Sequence, residues 1–229
     1  MIVQILGTRG EIESHAPKHS KHSGILVDNK FLIDIGEPEY LNYDPEFILI
    51  THWHPDHAYF TRVKKKIKFD VPVYAPELLN NFDQIQIAIE PFIKNGYAIT
   101  PVPTIHSLKL ESQGYIIAKN GKRIFYSGDL VTIQKKFHRL LYKLDVVITE
   151  GSFIRKGGLV RRINNEKLYG HAGIPELISF FSQFTNRIIF THFGTWFMKN
   201  IAAGIKKIRS FEADQLNLEI AEDGKTYKV

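Results

Sequence analysis

Within six residues, His52-Trp53-His54-Pro55-Asp56-His57, the chain places four side chains able to coordinate a metal, directly after the apolar run Phe47-Ile48-Leu49-Ile50. The run reads as a buried strand, and residues two apart on a strand share a face, so His52 and His54 leave its end on the same side. Pro55 holds His54 extended and is suited to open a helix, with Asp56 and His57 in its first turn and aimed at a neighbouring point. That geometry suits two adjacent cations better than one. Imidazole and carboxylate together favour zinc, with manganese or iron as substitutes. The plain alternative is an exposed loop that happens to be rich in histidine, and it leaves further residues downstream without a role.

Those residues stand at the ends of other apolar runs. His106 follows Val102-Pro103-Thr104-Ile105, Asp129 follows the strand-like Arg123-Ile124-Phe125-Tyr126 within Ser127-Gly128-Asp129, and His192 follows Ile188-Ile189-Phe190-Thr191. A coordinating side chain where a core strand meets a loop is where a rigid scaffold usually presents a site. Each taken singly is equally well a hydrogen-bonded core histidine or a turn aspartate. Together with the hexapeptide they make seven candidate metal ligands.

Composition narrows the class. A chain of 229 residues with 44% hydrophobic content can bury one substantial core, and residues 1–229 are expected to form a single domain. Cysteine is absent, which excludes disulfides and thiolate metal sites. No apolar stretch reaches transmembrane length and the N-terminus lacks the pattern of a signal peptide, so the expectation is no membrane and a cytoplasmic location. The net charge of +6 favours acidic partners. Basic clusters occur at Arg62–Lys68, at Arg155-Lys156 with Arg161-Arg162, and at Lys206–Arg209. Single clusters of this kind usually form solvated faces. The segment 151–170 differs: it is rich in Gly and Arg, weakly patterned, and reads as a long functional or mobile loop, without evident aromatic interleaving of the kind that stacks single-stranded bases.

The rest alternates strands and helices. Ile25-Leu26-Val27 and Phe31-Leu32-Ile33 flank a turn at Asp28-Asn29-Lys30, Asn120-Gly121 marks a second hairpin, and Asp223-Gly224 a third. Spacings of three and four predict helices over Leu130–Leu144, Ile174–Phe184 and Phe197–Ile208.

From Leu6-Gly7-Thr8-Arg9-Gly10 to Thr191-His192-Phe193-Gly194, the sequence resembles the metallo-β-lactamase-fold hydrolases. The resemblance implies an α/β (α+β-type) fold, an αββα four-layer sandwich with helices on both outer faces. It implies a binuclear site: His52, His54 and His106 on one metal, Asp56, His57 and His192 on the other, Asp129 bridging. Where many members carry Gly after the Asp-His pair, this chain has Ala58. Two divalent ions, zinc by preference, would give a hydroxide nucleophile at neutral pH and polarise a carbonyl or phosphoryl oxygen.

Glu150 in Thr149-Glu150-Gly151-Ser152 and His171 in Gly170-His171-Ala172-Gly173 look like the paired segments of the tRNase Z-like phosphodiesterase branch. There a Glu orients a His that protonates the leaving oxygen, so Asp56, Glu150 and His171 are the catalytic candidates. His171 is otherwise ordinary helix-start chemistry beside Gly170 and Pro175. The long tRNA-gripping arm of that branch has no counterpart here, and the cysteine-containing zinc site of a related cyclic phosphodiesterase cannot exist in this chain. The leading expectation is a phosphodiesterase acting on a nucleotide, a small phosphodiester or a short nucleic acid. An acyl hydrolase of lactone or thioester type is the alternative, and a metal-holding protein without turnover the third. A homodimer is compatible with the sequence. His15, His19 and His22, spaced four and three apart, could share a face only if their loop were helical.

Overall fold

The computed structural model describes residues 1–62, 68–80, 82, 84–164 and 167–229. The basic run Arg62–Lys68 therefore lies largely outside the described residues. The strands are β1 (Ile2–Gly7), β2 (Gly24–Val27), β3 (Phe31–Ile33), β4 (Phe47–Leu49), β5 (Val73–Ala75), β6 (Ile85–Ile87), β7 (Phe92–Lys94), β8 (Tyr97–Pro103), β9 (Gln113–Lys119), β10 (Lys122–Tyr126), β11 (Val146–Gly151), β12 (Leu159–Ile163), β13 (Lys167–His171), β14 (Arg187–Phe193), β15 (Asn217–Ile220) and β16 (Thr226–Lys228). Two seven-stranded sheets hold most of them, in the orders β16-β1-β2-β3-β4-β5-β6 and β15-β14-β11-β10-β9-β8-β7, while β12 and β13 form a separate ribbon.

Each large sheet is mixed. β3, β4, β5 and β6 run parallel in the first, and β10, β11, β14 and β15 in the second. Parallel strands covered on both faces need continuous apolar runs, and β4 is buried throughout. Val3, Ile25, Phe31 and Phe47 of the first sheet meet Tyr97, Ile117, Ile124 and Ile148 of the second in the central core. The three α-helices of the described residues, α1 (Ile174–Phe181), α2 (Thr195–Met198) and α3 (Ile201–Arg209), pack in the cluster over the outer face of the second sheet. Over the outer face of the first lie 3-10 turns at Pro38–Tyr43 and Tyr59–Arg62, together with Trp53 and Phe69.

Several elements differ from the sequence expectation. Residues 130–133 are not helical, because the amides of Ala172, Ile105 and Val131 bond to Leu130, Thr132 and Ile105, and only a 3-10 turn at Lys135–Leu141 follows. The helix expected over Phe197–Ile208 is two, separated at Asn200, which is extended and caps α3 by accepting from Ala203. Beyond Pro55 there is one turn rather than a helix, since the backbone of His57 and Tyr59 pairs with Ile35 instead of continuing. Asp223-Gly224 turns the chain as expected, but β15 and β16 belong to different sheets and form no hairpin. The hairpins at Asp28-Asn29 and Asn120-Gly121 form, with all four turn residues at positive φ.

Candidate metal centre and cleft

The seven candidate ligands come together at one end of the sandwich. They fall into two groups, His52, His54, His106 and Asp129, and Asp56, His57, Asp129 and His192, and in each the ligand atoms lie within 4.8 Å of one another. Nε2 of His52 and Nε2 of His106 each lie 3.0 Å from Nδ1 of His54. Nε2 of His192 lies 2.8 Å from Asp56 Oδ2. Asp129 stands between the groups: Oδ2 is 3.7 Å from His106 and 3.9 Å from His52, and Oδ1 is 3.3 Å from His57. The first sheet supplies the residues from 52 to 57 and the second supplies His106, Asp129 and His192.

The loop of the hexapeptide follows β4, and its shape depends on a residue that the sequence reading missed. Asp34, buried at φ 61° directly after β3, accepts from the amide and hydroxyl of Thr51 and lies 2.7 Å from His57 Nδ1. Nδ1–H bonding to that carboxylate fixes the tautomer that turns Nε2 toward Asp129. The signal was present: Phe31-Leu32-Ile33-Asp34 is also a polar residue ending a buried strand. His106 is oriented by Gly170, whose carbonyl lies 2.9 Å from Nδ1, and His192 by Ser152, whose hydroxyl lies 2.9 Å from its Nδ1. Two glycines permit the close packing. A Cβ on Gly10 would sit 2.9 Å from the His192 ring, and one on Gly128, at φ 57°, 2.9 Å from Thr51.

Electrostatics fits a cation pair. Burial first, then neighbouring imidazoles, holds His52 well below its ordinary range, and burial brings His54 down to about 4, so both present lone pairs at neutral pH. In the other group burial opposes charge on His57, but Asp129, Asp34 and Asp56 outweigh it and hold it well above its ordinary range. That group attracts positive charge. His57 Nε2 and Asp129 Oδ1 are buried with no hydrogen-bond partner. Such atoms cost a few kcal/mol each unless something satisfies them, and a divalent cation would satisfy both. The donor set, imidazoles with carboxylates and no sulfur, is suited to a binuclear divalent-metal site.

Beside the centre stand Glu150 and His171, with His171 Nδ1 2.8 Å from Glu150 Oε2 and 3.9 Å from Asp129. Glu150 is the penultimate residue of β11 and is pinned by the amide of Leu130, which donates to Oε1 at 2.7 Å. Burial disfavours charge on His171, yet Glu150 and then Asp129 prevail and raise it to about 9. His171 belongs to the β12–β13 ribbon rather than to a loop, which corrects the reading of 151–170; both faces of the ribbon carry polar residues, so no apolar alternation announced it. Asp129, Glu150 and His171 also form a third potential coordinating group. A cleft of about 410 Å³ opens onto the centre, lined by the polar Asp56, Asp129, His171 and His192 and by the apolar Ile12, Phe153, Leu159 and Trp196.

The histidines of the first loop do not gather. His19 is buried, 2.9 Å from the Thr8 hydroxyl and edge-on to Phe193 and Phe197, while His22 Nδ1 lies 2.7 Å from Glu37. His138 packs on Phe180. Ala58 is buried among Ile35, Trp53 and Phe60, where it fits without displacing the ligands. No helix of the described residues is long and apolar enough to cross a membrane.

No curated protein sequence matches this one significantly. Solved structures share the architecture. A diphosphatase from the PhnP family superposes with a TM-score of 0.71 at 17% identity, covering 100% of this chain and 97% of that one. The metallo-β-lactamase fold protein YhfI from Bacillus subtilis gives 0.69 at 16%, with 99% of each chain covered. Human tRNase Z, short form, gives 0.66 at 16%, covering 100% of this chain and 99% of that one. Identities this low speak for the fold alone. The sequence itself matches the beta-lactamase superfamily domain over residues 37–193, more than half of its length, and the chain belongs to that superfamily.

Proposed function

We propose that the chain is a binuclear metal-dependent hydrolase whose substrates are phosphodiesters, a nucleotide or a short nucleic acid, as in the tRNase Z-like branch. In this reading His52, His54 and His106 hold one divalent ion, Asp56, His57 and His192 the other, and Asp129 both, with zinc the preferred metal. Bound there, the pair supplies a water of lowered pKa and positive charge for a phosphoryl oxygen. The carboxylate of Asp56, which burial disfavours but His57 and His192 keep well below its ordinary range, stays ionised and lines the cleft, where it can orient the attacking water by accepting its hydrogen bond.

The observation that carries the phosphodiester reading is the Glu150–His171 pair. Nδ1–H donated to Glu150 leaves Nε2–H of His171 at the cleft, where it protonates the departing alkoxide. A poor leaving group gains roughly 10²–10⁴-fold from such an acid, whereas a thiolate needs little. The apolar lining of Phe153 and Trp196 suits a base, and equally favours a second reading, an acyl hydrolase with a hydrophobic acyl group. The test is a panel on metal-reconstituted protein: bis-p-nitrophenyl phosphate, cyclic nucleotides, short RNA and DNA, a lactone and a thioester. Turnover confined to the phosphodiesters supports the first reading. Turnover confined to the lactone or thioester replaces it with the second, and none on any substrate leaves a metal-holding protein.

A further inference from the structure

The β12–β13 ribbon begins at the cleft. Leu159 pairs with His171 across the ribbon and both line the cleft. Side chains two apart on a strand share a face, so the next rung on that face is Arg161 opposite Tyr169 and the one after it Ile163 opposite Lys167. At this far end a second depression, of about 300 Å³, is lined by Leu108, Ile163, Asn164 and Lys167. One face thus carries a cavity at each end, about 14 Å apart at ~3.4 Å per residue. The region is strongly basic. Arg155, Lys156, Arg161, Arg162 and Lys167 are exposed, and among the described residues none has a carboxylate within ion-pair distance. Arg155 also lies over the ring of Phe153 at the cleft wall. The base of the ribbon is fixed: the Gly170 amide donates to the carbonyl of His106 at 2.7 Å, and the Gly170 carbonyl faces His106 Nδ1.

We propose that this face of the ribbon is a track for single-stranded nucleic acid, on which Arg161 meets the backbone, Tyr169 stacks a base, and Leu108 with Ile163 receives the next. A positively charged groove combined with an aromatic side chain for stacking is how single strands are held without sequence preference, and here Arg161 and Tyr169 face each other in one rung. The track continues the cleft, and it deepens the phosphodiesterase reading, on which it rests for what happens to the bound strand. Contacts far from the scissile bond would then hold the phosphate beside His171, so that a longer strand gains in kcat as well as in KM. Arg162 projects from the opposite face with Val160 and Leu168, which makes it an internal control of equal charge.

The experiment is fluorescence anisotropy with a labelled oligothymidylate of about 12 nucleotides, within the span of single-strand grooves, titrated with salt, on wild type, Arg161→Ser, Arg162→Ser, Tyr169→Ala and Tyr169→Phe. Loss of one phosphate contact in Arg161→Ser lowers the slope of log K against log salt by about 0.7. Tyr169→Ala weakens binding roughly 5- to 150-fold, the range for one stacked base, while Tyr169→Phe retains it and excludes an unfolded ribbon. Arg162→Ser has the smaller effect. Turnover of bis-p-nitrophenyl phosphate stays at the wild-type level in Arg161→Ser. The track is overturned if Arg161→Ser and Tyr169→Ala bind as wild type does, or if Arg162→Ser matches Arg161→Ser, which leaves diffuse charge that heparin would satisfy equally. Binding that depends on Arg161 and Tyr169 with no phosphodiester turnover supports the track and removes the enzymatic reading instead.

Discussion

Asp129 is the one carboxylate shared by both coordinating groups, so its removal acts on both at once. Asp129→Ala is expected to lower occupancy of the two metals together, whereas His54→Ala affects mainly its own group; metal analysis after equilibrium dialysis checks this, and one ion per chain in wild type, unchanged in Asp129→Ala, contradicts the shared ligand. His171 sets a pH limb. A side chain raised from 6.5 to about 9 remains an acid through neutrality and loses its proton as pH rises through about 9, so turnover of a phosphodiester with a poor leaving group falls there. His171→Ala should cost roughly 10²–10⁴-fold on that substrate and far less on a nitrophenyl ester, with metal content unchanged. Equal losses on both substrates would remove the acid role. The same shift bears on stability: because the folded value lies above the unfolded one, the contribution is complete below 6.5 and is lost toward 9 and beyond, which pH-dependent urea melts can follow.

Individual elements place these residues, and the glycine beside β1 is a sharp probe of that. Gly10 lies against His192, so Gly10→Ala must push either the ring or its own loop aside. The expected result is a 10–100-fold loss of metal affinity confined to the Asp56–His57–His192 group, read by competition with a chromophoric chelator, and unaltered affinity would show that the loop yields instead. Asp34→Ala should act through the same group, by freeing the His57 ring. What the sequence revealed follows from how locally each feature is determined. His52 and His54 were legible from their spacing and ligand chemistry beside a buried strand, although they lie in the loop beyond β4, whose shape Asp34 sets through Thr51. The turn at Asp223-Gly224 was equally legible, but the sheet that receives β16 was not, since that is chosen by pairing with β1. Residues 130–133 carry helical spacing, yet their backbone is committed to Ile105 and Ala172, partners distant in sequence. The ribbon had no buried face and therefore no apolar alternation to read. Asp34 was missed although it obeys the rule that found His106.

For the whole molecule, the centre joins the two sheets, since each contributes part of both coordinating groups. A ligand that binds only the folded state at about 1,000 times its Kd stabilises by about 4 kcal/mol, and for a chain of this size each kcal/mol raises Tm by roughly 2–4 °C. Chelation is therefore expected to lower the melting temperature by ~8–16 °C. Calorimetry with and without chelator measures this, and an unchanged Tm would mean that the centre contributes nothing to holding the sheets together. The division of ligands between the sheets also imposes a timetable. On the ribosome the hexapeptide emerges before its partners, so it can assemble no complete group until His106 and Asp129 have followed, and the second group waits for His192. Loaded as proposed, the centre would be complete only once the second sheet's ligands had been made, and an ion captured too soon by the first four ligands would have to be released before the sandwich could close.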